Sequence, residues 1–274
     1  MSDLEDTRKS WNVATRNHNA HKGDQAARFR EGLDVLFPEE LRLLGELAGK
    51  RVAHLQCNAG QDSLGLARRG AIVTGVDLSD EAVAFARTLS AETGIAATFE
   101  RDDVLHWLAT TDARFDVAFA SYGVVGWLPD LDAWARGVAR VLAPSGKLVY
   151  VDFHPLVWSL DGDRVIKDDY VTAAPFREPV GDYVERSGAG LGAVTKGATV
   201  ENTVPATSWQ YGLGAIVSAV ARAGLRVDAL EEYGHSNGCK INESLVLDDA
   251  RRWVFPEGAT RVPLMFGLVA TRPS

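Results

Sequence analysis

The sequence predicts an α/β protein built on a doubly wound, mainly parallel sheet. Residues 51–153 alternate short apolar strand runs with amphipathic helical runs. Within them, RVAHLQCNAGQDSLGLARRGAIVTGVDLS (Arg51 to Ser79) reads as strand, turn, helix and strand, ending on the acid Asp77. Two later runs, Arg226 to Tyr233 and Val262 to Ala270, supply further strands.

Composition sets the limits. The 274 residues fit one large domain, and a hydrophobic share of 46% fills its core. MSDLEDTRKSW has no apolar leader, and no apolar run reaches the ~18 residues a bilayer span needs. A cytoplasmic protein without membrane partners is expected. Cys57 and Cys239 are too few for a disulfide framework, and no CxxC or HExxH spacing marks a metal site. Net charge is −8 with scattered cations, which argues against nucleic acid as a partner.

Residues 1–47 read as three short helices forming an N-terminal lid: one around Trp11 to Ala20, one from Gln25 to Leu36, and one opened by Pro38. The polar RNHNAHKGDQ between the first two holds His18, His21 and Lys22 and suits a lid closing over a ligand; a solvated loop is the competing reading. The main domain, 48–274, begins with a strand at Val52–Leu55, the turn Gln56–Gly60, a helix at Asp62–Arg69 and a strand at Ile72–Val76. Such a turn brings backbone N–H groups and a helix N-terminus to a ligand, and a carboxylate about 20 residues on accepts ribose hydroxyls. An adenosine-bearing cofactor follows, with Asn58, Ala59, Gly60, Asp77 and Leu78 around it. Ser79 caps a helix from Asp80 to Glu92, stopped by Gly94. Strands at Ala96–Glu100 and Phe115–Ala120 come next, then a helix from Leu131 to Leu142 ended by Pro144-Ser145-Gly146, and a fifth strand reaching Asp152-Phe153-His154-Pro155. Regularity breaks down over 156–206, read as an antiparallel cap with strands at Tyr170–Thr172, Tyr183–Glu185 and Ala198–Val200. A helix from Trp209 to Ala223 and the two last strands complete the chain. Between those strands Tyr233, His235, Asn237 and Lys240 make a polar patch, either facing the pocket or on a surface loop.

The turn distinguishes between cofactors. A dinucleotide fingerprint needs G-x-G-x-x-G, and here only Gly60 is glycine. The segment resembles motif I of the class I S-adenosylmethionine-dependent methyltransferases, acidic-x-Gly-x-Gly-x-Gly. Gln56 stands at the acid, Asn58 at the first glycine, Gly60 at the second and Asp62 at the third. Asn tolerates positive φ, so the loop can still turn at Asn58. ARVLAPSGKLVYVDFH is similar to the family's approach to its fifth strand. The resemblance implies a seven-stranded Rossmann-like sheet with an antiparallel seventh strand, S-adenosylmethionine as cofactor and S-adenosylhomocysteine as product. It implies an adenine contact at Asp103, with Asp102 competing, and Val104 or Leu105 on the ring. It also implies substrate contacts from Ser121, Tyr122 and Trp127, and a cap that sets substrate choice. Gln56 departs from the pattern, so Asp62 or a backbone carbonyl has to help hold the methionine ammonium.

The expected reaction is methyl transfer to nitrogen or oxygen of a small metabolite, possible in natural-product biosynthesis, by in-line displacement, with nitrogen slightly preferred. His154, at a strand end and fixed by Pro155, is the expected general base. Tyr122 and Tyr211 would orient the acceptor, with Trp11, His18, His21, Trp127 and His235 as further contacts. A monomer or homodimer is expected. A fold member that binds the cofactor without transferring methyl, and an NAD-dependent oxidoreductase, are the alternatives.

Overall fold

A computed structural model describes residues 3–170 and 174–274. Its centre is a seven-stranded sheet in the order β3-β2-β1-β4-β5-β12-β8. These strands are β1 (Arg51–Leu55), β2 (Ile72–Asp77), β3 (Thr98–Arg101), β4 (Phe115–Ser121), β5 (Leu142–Phe153), β8 (Arg226–Tyr233) and β12 (Met265–Thr271). β1 to β5 pair in parallel, whereas β12 runs antiparallel to both of its neighbours. The expected Rossmann-like sheet with one antiparallel strand is therefore the fold.

Two apolar faces need cover. Helices α6 (Val104–Thr110), α7 (Leu131–Val141) and α9 (Leu213–Arg222) supply it on one side, where Trp107, Trp134, Val138 and Ile216 pack on Ala118, Leu148 and Phe266. On the other, α3 (Pro38–Leu44) and α4 (Gln61–Arg68) bury Leu43, Leu44 and Leu66 against Phe119, Val149 and Met265. Helix α5 (Asp80–Thr93) adds Val83, Ala86 and Leu89 beside Leu64 and Phe99 from α4 and β3, joined by Phe29 of the short α2 (Gln25–Arg30). As expected, Ser79 accepts the N–H of Ala82 at one end of α5, and Gly94 closes the other with φ 69°. No helix among the described residues is long and apolar enough to cross a membrane.

Over the carboxyl edge of the sheet lie α1 (Asp3–Ala20), the ladder of β6 (Phe176–Pro179) with β7 (Pro205–Ser208), and α8 (Tyr183–Ser187). Polar bonds join them. Thr7 Oγ1 accepts the N–H of Thr207, Ser10 Oγ that of Val180, and Asn17 pairs both ways with the backbone of Val200. A three-stranded sheet of β10 (Val246–Leu247), β11 (Arg252–Val254) and β9 (His235–Asn237) closes the opposite flank.

Several expectations on these covering segments need correction. α1 is longer than its apolar residues suggest and α2 shorter, ending at Arg30. Tyr183–Glu185 is helical because Asp182 caps a helix there, its side chain accepting the N–H of Glu185. Ala198–Val200 forms no strand, and Val171 and Thr172 lie outside the described residues. Trp209 does not open a helix; α9 starts at Leu213. Pro144-Ser145-Gly146 sits inside β5, and the last strand begins at Met265. The patch at His235 and Asn237 is strand, not surface loop.

Candidate active site

Register brings the site together. Leu55 pairs with Val76 on one side and Ala120 on the other, so Gln56, Asp77 and Ser121 emerge beside one another at the carboxyl edge. The turn after β1 is left-handed at Gln56 (φ 53°), Asn58 (φ 47°) and Gly60 (φ 80°). Asn58 thus takes the conformation expected of a glycine stand-in. A Cβ on Gly60 would come within 2.6 Å of Ala86 Cβ and 2.9 Å of Phe99, so at that position glycine is needed for packing as well as for φ. Asp77 fixes the turn: Oδ2 accepts the N–H of Asn58 at 2.8 Å and Oδ1 that of Ser79 at 2.8 Å.

These groups open into a cavity of about 920 Å³ roofed by α1 and residues 176–211. Gln56, Asn58, Asp62, Asp77, Leu78, Asp103, Val104, Ser121, Tyr122, Trp11, Trp127 and Tyr211 all line it. Asp103 reaches it and also caps α6, whereas Asp102 is turned to His106 at 2.8 Å and does not. Trp11 and Trp127 meet edge to face with centroids 5.2 Å apart, and Tyr211 donates to the carbonyl of Leu128 at 2.7 Å. Ala59 and Gly60 shape the turn from behind without lining the cavity.

The four histidines expected at the site, His18, His21, His154 and His235, point elsewhere. His154 caps the turn after β5, accepting the N–H of Leu156 on Nδ1, and its Nε2 lies 3.1 Å from Glu232 of β8. Burial lowers its pKa, and it stays outside the cavity lining. His235 is paired with Glu39. His18 Nε2 donates to the carbonyl of Gly181 at 3.1 Å, and burial pushes its pKa down to about 4. His21 lies 2.9 Å from Asp182, and with Glu185 the two place possible metal-ligand atoms within 4.8 Å of one another. His21 Nδ1, however, accepts the N–H of Gly197, so its Nε2 carries the proton that faces Asp182, the arrangement of a hydrogen bond. In each case a neighbouring backbone group or acid has drawn the ring off the cavity.

In their place the cavity is lined by buried ionisable groups. Burial raises Asp77 and Asp62 to about 6, with Lys22 opposing the shift at Asp62. Burial brings Lys22 down to about 8. Asp152 is pushed up by burial while it accepts the N–H of Val124 at 3.2 Å and the hydroxyl of Tyr150 at 2.5 Å. It holds the 121–126 segment in place. Behind Tyr122, buried Glu40 of α3 accepts the Tyr122 hydroxyl, and Asn237 donates to the same oxygen at 3.0 Å.

The chain's own groups fit an adenosylated amino acid. Gln56 spends its Nε2 on the carbonyl of Val124 at 3.0 Å, which leaves its buried Oε1 without a partner among the described residues. A neutral amide oxygen held this way could accept from an ammonium, and the acid Asp62 lines the same cavity.

Fold and turn together define a Rossmann-like protein with a cradle for an adenosine-bearing cofactor. Residues 52–146 match the family model described as a methyltransferase domain. The ubiquinone biosynthesis O-methyltransferase of Proteus mirabilis (strain HI4320) is 35% identical over 104 residues, 38% of this chain and 42% of the relative. The chain thus spans less than half the length of that curated relative. Among solved structures, an S-adenosylmethionine-dependent methyltransferase from Clostridium acetobutylicum ATCC 824 superposes with a TM-score of 0.57 at 12% identity, covering 94% of this chain and 99% of that one. The magnesium protoporphyrin IX methyltransferase from Synechocystis PCC 6803, with S-adenosylhomocysteine bound, gives a TM-score of 0.53 at 16% identity over 99% and 100% of the two chains. Residues 52–146 are thus similar in sequence to a methyltransferase domain, and the chain shares the fold of these solved S-adenosylmethionine-dependent methyltransferases.

Proposed function

We propose that the protein transfers a methyl group from S-adenosylmethionine to a hydroxyl oxygen of a small metabolite. The carrying observation is the cradle, in which the left-handed turn, the open Gln56 Oε1 and Asp77 meet at one cavity. Asp77 takes the ribose hydroxyls with the lone pairs its two backbone N–H bonds leave free, Asp103 and Val104 receive the adenine, and Gln56 with Asp62 receives the ammonium. The cofactor supplies an electrophilic methyl group on a sulfonium. The protein aligns the acceptor and keeps water out, work that Trp11 and Trp127 serve as covering aromatics.

Oxygen is preferred to nitrogen on two grounds. Curated relatives carry the name O-methyltransferase, and a buried phenol–carboxylate pair at the cavity wall offers a destination for a hydroxyl proton. A cavity of about 920 Å³ suits a small acceptor. The segments 1–47 and 156–206 act as lid and cap in this reading.

Calorimetric titration with S-adenosylmethionine, S-adenosylhomocysteine and NADH tests the cofactor. Micromolar binding of both sulfur ligands, weakened about 100-fold by Asp77→Ala, is expected, since losing charged hydrogen bonds costs about 1.5–3 kcal/mol. Binding of NADH alone would sink the proposal.

A further inference from the structure

Glu40 is an unusual residue to find beneath an active-site wall. It sits in the first turn of α3, 1% exposed, with one oxygen accepting the N–H of Phe37 at 2.6 Å and the other the hydroxyl of Tyr122. No cation pairs with it among the described residues. The nearby basic side chains, Arg252 and His235, are turned to its neighbour Glu39, whose pKa their hydrogen bonds bring down to about 2 against its burial. The charged group facing it from α4 is Asp62, another acid. An unpaired buried carboxylate is costly to keep ionised. Its one side-chain link runs through Tyr122, whose oxygen also accepts from Asn237 and whose ring lines the cavity.

We propose that Glu40, Tyr122 and Asn237 form the proton-accepting relay for the acceptor hydroxyl, with Glu40 as the final holder of the proton. The inference rests on the hydroxyl-methylation reading above. As the acceptor oxygen bonds to the methyl carbon, the S–CH₃ bonding pair leaves on sulfur and the sulfonium becomes a neutral sulfide. The hydroxyl proton passes to Tyr122 Oη, and the proton Tyr122 already carries passes to Glu40, which ends as a carboxylic acid. Asn237 donates to Tyr122 Oη and holds the phenol between cavity and carboxylate. Tyr122 is the group that meets the acceptor; Glu40 acts through it as a positioning and proton-holding residue. Burial first, and then Asp62, raises Glu40 to about 8, so below that pH most of the protein already holds the proton it needs to receive.

The test has a spectroscopic arm and a kinetic one. Infrared spectra of the full-length protein between about pH 6 and 10 should show a buried carboxylic-acid C=O band that disappears with a midpoint near 8, is absent in Glu40→Gln, and moves to higher pH in Tyr122→Phe. A band titrating near 8 that survives Glu40→Gln, or no band titrating near 8 in the wild type, overturns the proposal whatever the acceptor. With catechol as probe and methyl-labelled S-adenosylmethionine, the wild-type rate should climb about tenfold per pH unit below 8 and then level. Both variants should fall about 100-fold, and Glu40→Gln should lose the rise. An unchanged profile in Glu40→Gln overturns the relay. If catechol is not methylated although S-adenosylhomocysteine binds, hydroxyl transfer itself is in question, and the infrared arm still decides whether Glu40 holds a proton.

Discussion

Gly60 and Asn58 show how differently two residues in one turn respond to change. Both have positive φ, but only Gly60 also meets neighbouring side chains where a Cβ would stand. Gly60→Ala should therefore cost about 2–3 kcal/mol, combining overpacking with left-handed strain, whereas Asn58→Gly should change stability by less than about 1 kcal/mol. Urea denaturation of the two variants measures the difference. At this scale the cofactor end was legible, because turn chemistry and the spacing to Asp77 are local properties of the chain. The acceptor end was not. Glu40 reads in sequence as one more acid favouring a helix N-terminus. Its meeting with Tyr122 depends on how α3 packs under β4. His154 misled for a related reason: strand-end position placed it at the correct edge, but Glu232 on β8, beyond the intervening β12, and the cap it forms for Leu156 decide where the ring goes.

Among the elements, α1 is the one whose role follows least from its own sequence. Its buried face is largely polar, with Thr7, Ser10, Thr15, Asn17 and His18, so no apolar stripe signals burial. Polar bonds hold it in place instead. Asn12 Oδ1 accepts from Ser79 Oγ at 2.7 Å and its Nδ2 donates to Asp80 at 3.1 Å, tying α1 to the start of α5 directly beside Asp77. Asn12→Ala removes these bonds, together with the one its Oδ1 accepts from the N–H of Glu81 at 3.4 Å, and should weaken the docking of α1 by about 1–2 kcal/mol. Because α1 carries Trp11 over the cavity, the expected readout is an S-adenosylhomocysteine affinity about tenfold lower, chiefly through faster release in stopped-flow Trp fluorescence. The short β9, β10 and β11 escaped sequence reading for the same reason as α1: two or three residues each cannot show a period. α8 escaped it because Tyr183 and Val184 favour strands until Asp182 caps them into a helix.

For the whole molecule, the buried acids set the pH dependence of stability. Glu40, Asp62 and Asp77 have folded values near 8, 6 and 6 against ordinary values of 4.5, 3.8 and 3.8. Each binds its proton more tightly when folded, so its contribution is greatest below the ordinary value and is lost as pH rises through the folded one. Glu39 acts the other way, contributing above its ordinary 4.5 and losing that contribution as pH falls towards 2. The decline that these acids impose on the ligand-free protein should begin near pH 4 and continue to about pH 8 in urea titrations. Glu40→Gln should flatten the upper part of that decline. The sheet itself was the most legible feature, since its strands are apolar runs bounded by Gly, Ser and Asp, and only the covering segments were lost. One strand of that sheet also bears on how the protein is made. β12 lies between β5 and β8, yet it follows both in the chain. While a ribosome is still building residues 234–264, two strands destined to share a partner stand with bare edges on either side of a gap. The nascent protein must keep that slot open, and free of strands from other chains, until its seventh strand arrives to fill it.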